Sequence, residues 1–206
     1  MTSVSTVQPG RFERWRVFGA MTVAVGAMAL VILASVGVDT DGYRMIIRAT
    51  ARTSLALFLS AFVASSLLAL RPGEPTRWLA RNRRYLGLSF AMSHGLHLAA
   101  IITLATTDPS TFATLTDAGS IIGGGLGYVA IAILTVTSFD RIVAGLGAAR
   151  WQLIQTVGSW FLWLLFLVTN GGRIPENAWY AVPTALVLLA AALRVVARTR
   201  GVAATA

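Results

Sequence analysis

The two histidines of this 206-residue chain, His94 and His97, stand three residues apart in an otherwise apolar stretch. Imidazole is the side chain that both ligates metals and titrates near neutrality. Three residues of helix turn about 300°, so the two rings lie about 60° apart on one side. Counted from Arg84, His94 sits about 15 Å along the helix, near mid-membrane, and His97 about 20 Å along, in the outer half. An ionisable group inside a membrane is a functional hypothesis by default. The alternative is an interhelical hydrogen bond to Ser, Thr or backbone. Both readings stand open for both residues.

A second spaced set is Arg44, Arg48 and Arg52. Four-residue spacing puts them on one helix face, with Arg52 deepest. Such a face either snorkels to outer headgroups or forms an anion site for cofactor carboxylates or an acidic partner. Other chemistries fail on inventory. Ser93 and His94 are sequence neighbours, about 100° apart around a helix, and make a poor nucleophile–base pair. No two carboxylates share a span, which weakens acid–base hydrolysis and carboxylate metal sites. Two histidines alone make a poor zinc site, since zinc takes three or four protein ligands. The run Gly123-Gly124-Gly125-Leu126-Gly127 falls inside an apolar span and reads as close helix packing through small residues. Pro183 reads as a kink in the last span.

These residues must be positioned by elements of a particular kind. The chain is 56% hydrophobic and 12% charged, with mean hydropathy +0.71. An ordinary soluble domain is about 25% charged. A soluble enzyme, a disordered tail and a nucleic-acid-binding domain are disfavoured. No cysteine is present, which removes disulfides, thiolate metal sites and covalent Cys-x-x-Cys-His haem attachment.

Crossing about 30 Å of hydrocarbon takes roughly 20 apolar helical residues. Six stretches qualify, at 17–38, 53–70, 85–105, 120–138, 151–169 and 178–196. The first is longer than a signal-peptide apolar core and lacks a small-residue cleavage site. The predicted fold is all-α, an integral membrane bundle of six transmembrane helices. It divides into an N-terminal segment (1–16), the six-helix domain (17–198) and a tail (199–206).

The 17 basic residues are all arginine, and the net charge is +9. Arg11, Arg14 and Arg16 precede the first span. Arg71, Arg77, Arg81, Arg83 and Arg84 fill the second connection, Arg141 and Arg150 the fourth, and Arg194, Arg198 and Arg200 flank the end of the last span. These alternate positions hold 13 of the 17 arginines and predict cytoplasmic termini by the positive-inside rule. The charge then serves orientation and anionic headgroups, with the lipid bilayer as partner and no nucleic acid required. The expected location is a plasma (inner) membrane of a bacterium, multi-pass.

Three short stretches resemble the ferric reductase-like transmembrane domain family, nearest the haem-bearing membrane subunits of bacterial periplasmic methionine-sulfoxide reductase systems. The first is Arg83-Arg84-Tyr85-Leu86-Gly87-Leu88 with Leu96-His97-Leu98. It is similar to the arginine pair, Leu-Gly-Leu and Leu-His-Leu of the family's third span. The second is Leu134-Thr135-Val136-Thr137-Ser138, closing the fourth span. The third is Gly145-Leu146-Gly147-Ala148-Ala149-Arg150-Trp151-Gln152-Leu153-Ile154-Gln155, similar to the Leu-Gly, Trp and Leu-His run that opens the fifth span. The resemblance covers roughly residues 44–198.

What the resemblance implies is haem b held between the third and fifth spans, with His97 as the iron ligand, His94 as the alternative, and Arg52 as a partner for cofactor carboxylates. It implies electron transfer across the membrane from a cytoplasmic donor or quinone to an outer redox partner. No FAD or NAD(P)H domain is present, so the chain is at most an electron-transfer (oxidoreductase) component. The sequence also departs from the pattern. Gln155 and Val168 stand where the family's fifth span carries histidines, and valine cannot bind iron. Thr169 and Asn170 are poor ligands, and Met92 shares His97's helix. A surviving haem would be five-coordinate through His97 or would borrow a ligand in a homo-oligomer. Trp160, Phe161, Trp163 and Phe166 either refill the porphyrin's volume or face lipid. Besides a one-haem electron carrier, the sequence is compatible with a haem-free scaffold that binds a partner membrane protein or a lipid-like ligand. A small transporter fits less well, for want of mid-span polar groups and inverted repeats.

Overall fold

Runs of Leu, Val, Ile and Ala, punctuated by Gly, Pro and Asp, favour long helices with short, sharply capped connections. A computed structural model describes residues 12–203; Arg11, most of the 1–16 segment and the end of the 199–206 tail lie outside the described residues. The elements are α1 (Trp15–Val36), α2 (Thr40–Leu70), α3 (Glu74–Thr107), α4 (Pro109–Leu115), α5 (Ala118–Val136), α6 (Asp140–Leu146), α7 (Ala148–Gly171), a 3-10 turn (Ala178–Tyr180) and α8 (Ala181–Ala203). There is no strand among the described residues. Six of these segments are long and apolar enough to cross a membrane.

The predicted spans are the apolar centres of longer helices. α2 and α3 have 31 and 34 residues, about 46 and 51 Å at 1.5 Å per residue. Their arginine-bearing ends continue the helix beyond the hydrocarbon thickness. The six long helices close a ring in the order α1, α3, α5, α7, α8, α2, and α2 and α3 also pack along one another across it. The outward faces carry exposed Val23, Leu30, Val31, Ile122 and Leu153. Apolar surface of that extent suits lipid and not water.

Connections are held by capping. The carboxylates of Asp39, Asp108 and Asp117 accept backbone N–H bonds from Gly42, Thr111 and Ser120 at 3.0, 3.0 and 2.6 Å. These satisfy orphan donors at the starts of α2, α4 and α5. Thr40 Oγ1 donates to Asp108 Oδ2 at 2.9 Å, joining the start of α2 to the end of α3. Gly37, at φ 129°, makes the turn between α1 and α2 in a region that disfavours other residues.

At the opposite end, α3 holds the entry to α1. Asn82, fully buried, accepts from the Arg14 amide at 2.7 Å. Trp78 Nε1 donates to the Phe12 carbonyl at 2.8 Å, and Arg81 pairs with Glu13 at 3.0 Å. Arg84 pairs with Asp140 of α6 at 2.6 Å.

Two local expectations are corrected. Pro183 does not kink a helix interior. It lies in the first turn of α8, where its missing N–H leaves no helical bond unmade. In the glycine run, a Cβ on Gly123, Gly124 or Gly125 would meet nothing within 4 Å. Only Gly127 of that run packs closely, with the Leu165 side chain of α7 3.1 Å from where its Cβ would stand.

Candidate functional site

The histidine pair lies on α3 where it faces both α2 and α7. The rings of His94 and His97 are stacked, with centroids 5.0 Å apart and planes 24° apart. The three-residue spacing thus does put them on one side. They nevertheless face different helices.

His97 turns to α2. Its Nδ1 lies 2.9 Å from the Ile47 carbonyl and 3.1 Å from Thr50 Oγ1. A carbonyl only accepts, so Nδ1 carries the proton and the neutral ring keeps its lone pair on Nε2. Thr50, fully buried, spends its own proton on the Ile46 carbonyl at 2.6 Å. Its oxygen is therefore free to share the Nδ1–H. Ser54 Oγ donates to Ser93 Oγ at 2.9 Å one turn further along α2. The α2–α3 seam is thus a short polar ladder inside an apolar bundle.

His94, not His97, faces the fifth span. Its ring centroid lies 6.1 Å from Phe166 of α7, 5.4 Å from Phe90 and 5.1 Å from Tyr128 of α5. Its Nδ1 is buried without a hydrogen-bond partner, as are Thr22 Oγ1 and Arg84 Nε. An unmet buried polar atom costs about 1–3 kcal/mol.

The fifth-span positions are committed elsewhere. Gln155 Nε2 donates to the Leu134 carbonyl at 3.2 Å and to Thr137 Oγ1 at 2.9 Å. Trp151 Nε1 donates to the Thr137 carbonyl at 2.8 Å. The Leu134–Ser138 stretch and the Trp151–Gln155 stretch are therefore mutual packing partners that fasten α5 to α7. Val168 is 62% exposed and looks out of the bundle. Phe166 packs on Phe58 of α2 at 5.1 Å and on Phe90 at 6.1 Å. Trp160 meets Phe62 of α2 edge-on at 5.3 Å. Trp163 Nε1 donates to the Val187 carbonyl of α8 at 2.8 Å. All four aromatics, Phe161 included, pack against the core.

Arg52 is exposed. It stands two residues, or about 200° of helix, from buried Thr50, so the structure does not bring it to the histidines. Arg48 is exposed as well, and Arg44 pairs with Asp41 at 3.4 Å. The snorkelling reading fits this face.

A haem clamped between α3 and α7 does not fit these residues. Iron in such a site takes its axial ligands from opposite faces. The Phe166 ring of α7 stands against His94, Phe90 and Tyr128 flank the imidazole, and Phe58 backs Phe90 and Phe166. No group of three or more His, Cys, Asp or Glu able to hold a metal ion occurs among the described residues.

The buried Ser54–Ser93 bond and the Thr50 contact were not legible beforehand. Serine and threonine are common in spans, and spacing along one helix does not reveal which neighbour it meets. No family model, no curated protein and no solved structure matches the chain.

Proposed function

We propose that the chain is a multi-pass subunit of a bacterial plasma membrane with both termini in the cytoplasm. In this reading it keeps the six-span plan of the ferric reductase-like family, binds no haem, and serves to bind a partner membrane protein or a lipid-like ligand. The observation that carries the reading is Phe166, whose ring lies against Phe58, Phe90 and His94 on the side from which a second axial ligand would come. The orientation rests on the arginines gathered at the starts of α1, α3 and α7 and the ends of α2 and α8, by the positive-inside rule. A lateral groove of about 600 Å³ between α1, α3 and α5 favours a lipid-like ligand. It is lined by Phe18, Leu88, Met92, Tyr128 and Ile131 among others, and its volume is within the roughly 300–1,000 Å³ of ligand sites.

The test is spectroscopic. Protein expressed with ample haem supply and purified in detergent should be colourless. A Soret band that shifts on dithionite reduction would overturn the haem-free reading. For orientation, a green-fluorescent-protein fusion to the C-terminus should fluoresce, and an alkaline-phosphatase fusion there should be inactive.

One observation favours the competing reading, a one-haem electron carrier. The Nδ1–H of His97 is held by the Ile47 carbonyl, the kind of outer contact that orients metal-bound imidazoles. If a Soret band appears, His97→Ala should abolish it, and an unchanged band would assign the iron to His94.

A further inference from the structure

At the arginine-rich end of the bundle, α2, α3 and α8 line an open pocket of about 250 Å³. Its charged lining is Arg83, Arg194 and Arg198, with Ser65 and Ser66 beside them and Phe62 at its base. Arg194 is only 9% exposed. Its guanidinium carbon stands 4.0 Å over the Phe62 ring and 5.1 Å from the Trp160 ring. The polar contacts of Arg194 and Arg83 are long, Arg194 Nη1 to Ser159 Oγ and Arg83 Nη1 to Ser65 Oγ, both at 3.4 Å.

Arginine is charged at any physiological pH and presents five N–H donors. Three other arginines of α3 are paired with carboxylates: Arg77 and Arg81 with Glu74 and Glu13, and Arg84 with Asp140. Among the described residues, no ion pair involves Arg83, Arg194 or Arg198. Three like charges around one pocket repel each other, and aromatic faces relieve only part of that cost. An anion between them would offset that repulsion.

We infer that this pocket binds a phosphate-bearing anion, with the headgroup of an anionic phospholipid as its source. Guanidinium forks match phosphate oxygens bidentately. Basic pockets between transmembrane helices at the cytoplasmic face are the setting in which lipid phosphates are held. The volume falls below the roughly 300–1,000 Å³ of drug-sized sites, which suits a headgroup. The inference adds a lipid-headgroup site separate from the groove between α1, α3 and α5 on which the lipid-binding reading above rests. It stands apart from the haem question, because the histidines lie elsewhere along α3.

The test uses the full chain in a neutral detergent, titrated with dioctanoyl phosphatidylglycerol and, in parallel, dioctanoyl phosphatidylcholine. Phosphatidylglycerol should bind more tightly. Arg83→Gln and Arg198→Gln should each weaken it by about tenfold, the scale of one lost charge-assisted contact. Arg77→Gln, which removes the same charge outside the pocket, should leave affinity unchanged. Arg198 is exposed, so its variant keeps the test open if Arg83→Gln fails to fold. Equal binding of the two lipids, or an equal loss in Arg77→Gln, overturns the site. Inorganic phosphate competing at the same concentration as the lipid would overturn the lipid source and leave the phosphate site standing. Failure here with a colourless protein sinks the anion site alone, whereas a Soret band with intact lipid binding sinks the haem-free reading alone.

Discussion

Replacing Phe166 by alanine tests the packing on which the haem-free reading rests. The ring joins three helices through Phe58, Phe90 and His94. In a bilayer the water-transfer part of a core substitution is absent, because lipid tails are as apolar as the core. What remains is lost contact. Removing a phenyl ring opens a void of about 100 Å³, and at about 24 cal/mol per Å³ this costs about 2.4 kcal/mol. Phe166 is only half-buried, so neighbours and detergent refill part of that space, and about 1–2 kcal/mol is expected. At this chain length that is a fall in Tm of roughly 2–8 °C. The assay is a thermal melt of detergent-purified protein followed by tryptophan fluorescence, with and without benzene, which enters dry apolar voids of this size class. Benzene should recover part of the loss in Phe166→Ala and leave the parent unchanged. A variant that melts with the parent would refute the reasoning, because the ring would then not be wedged between α2, α3 and α7.

Ser93→Ala strands the fully buried Ser54 hydroxyl and should cost about 0.6–1.7 kcal/mol, the span measured for hydrogen bonds inside membranes, read by unfolding in a denaturing detergent. Gln155→Leu removes both bonds to Leu134 and Thr137 and should cost a similar amount, with faster proteolysis in the 139–147 connection as the local readout. The Thr111 amide and hydroxyl, with the Ser110 and Thr40 hydroxyls, hold the Asp108 carboxyl well below the ordinary carboxylate range. Its stabilising effect is therefore complete above the unfolded pKa of about 3.9 and is lost as the pH falls towards the lowered folded value. Melts from about pH 6 down to about pH 3 should show a steeper acid-side loss for the parent than for Asp108→Asn, and identical slopes would refute the assignment.

The spans and the shared side of the histidines were legible because both follow from fixed helix geometry and hydropathy. The ends of α2 and α3 were not. Their arginine-rich turns are not apolar, yet arginine is a good helix former and long helices continue into the headgroups. The facing of His97 was read towards the fifth span, and the structure turns it to α2 because the Ile47 carbonyl and Thr50 supply polar partners there. A single sequence carries no signal for such pairings across 50 residues. The stacking of Arg194 on Phe62 and Trp160 was hidden for the same reason. In the sequence Arg194 is one more basic residue near the end of a span.

The hold of α3 on the start of α1 carries a consequence for biogenesis. The Arg14 amide waits for an acceptor 68 residues downstream. At synthesis rates of about 5–20 residues per second, that interval is about 3–14 s. The first helix therefore enters the bilayer with its leading turn unfastened. It is secured only after the third has emerged from the ribosome, so a nascent chain arrested before Trp78 should leave Glu13 open to protease, and one arrested well beyond Asn82 should protect it.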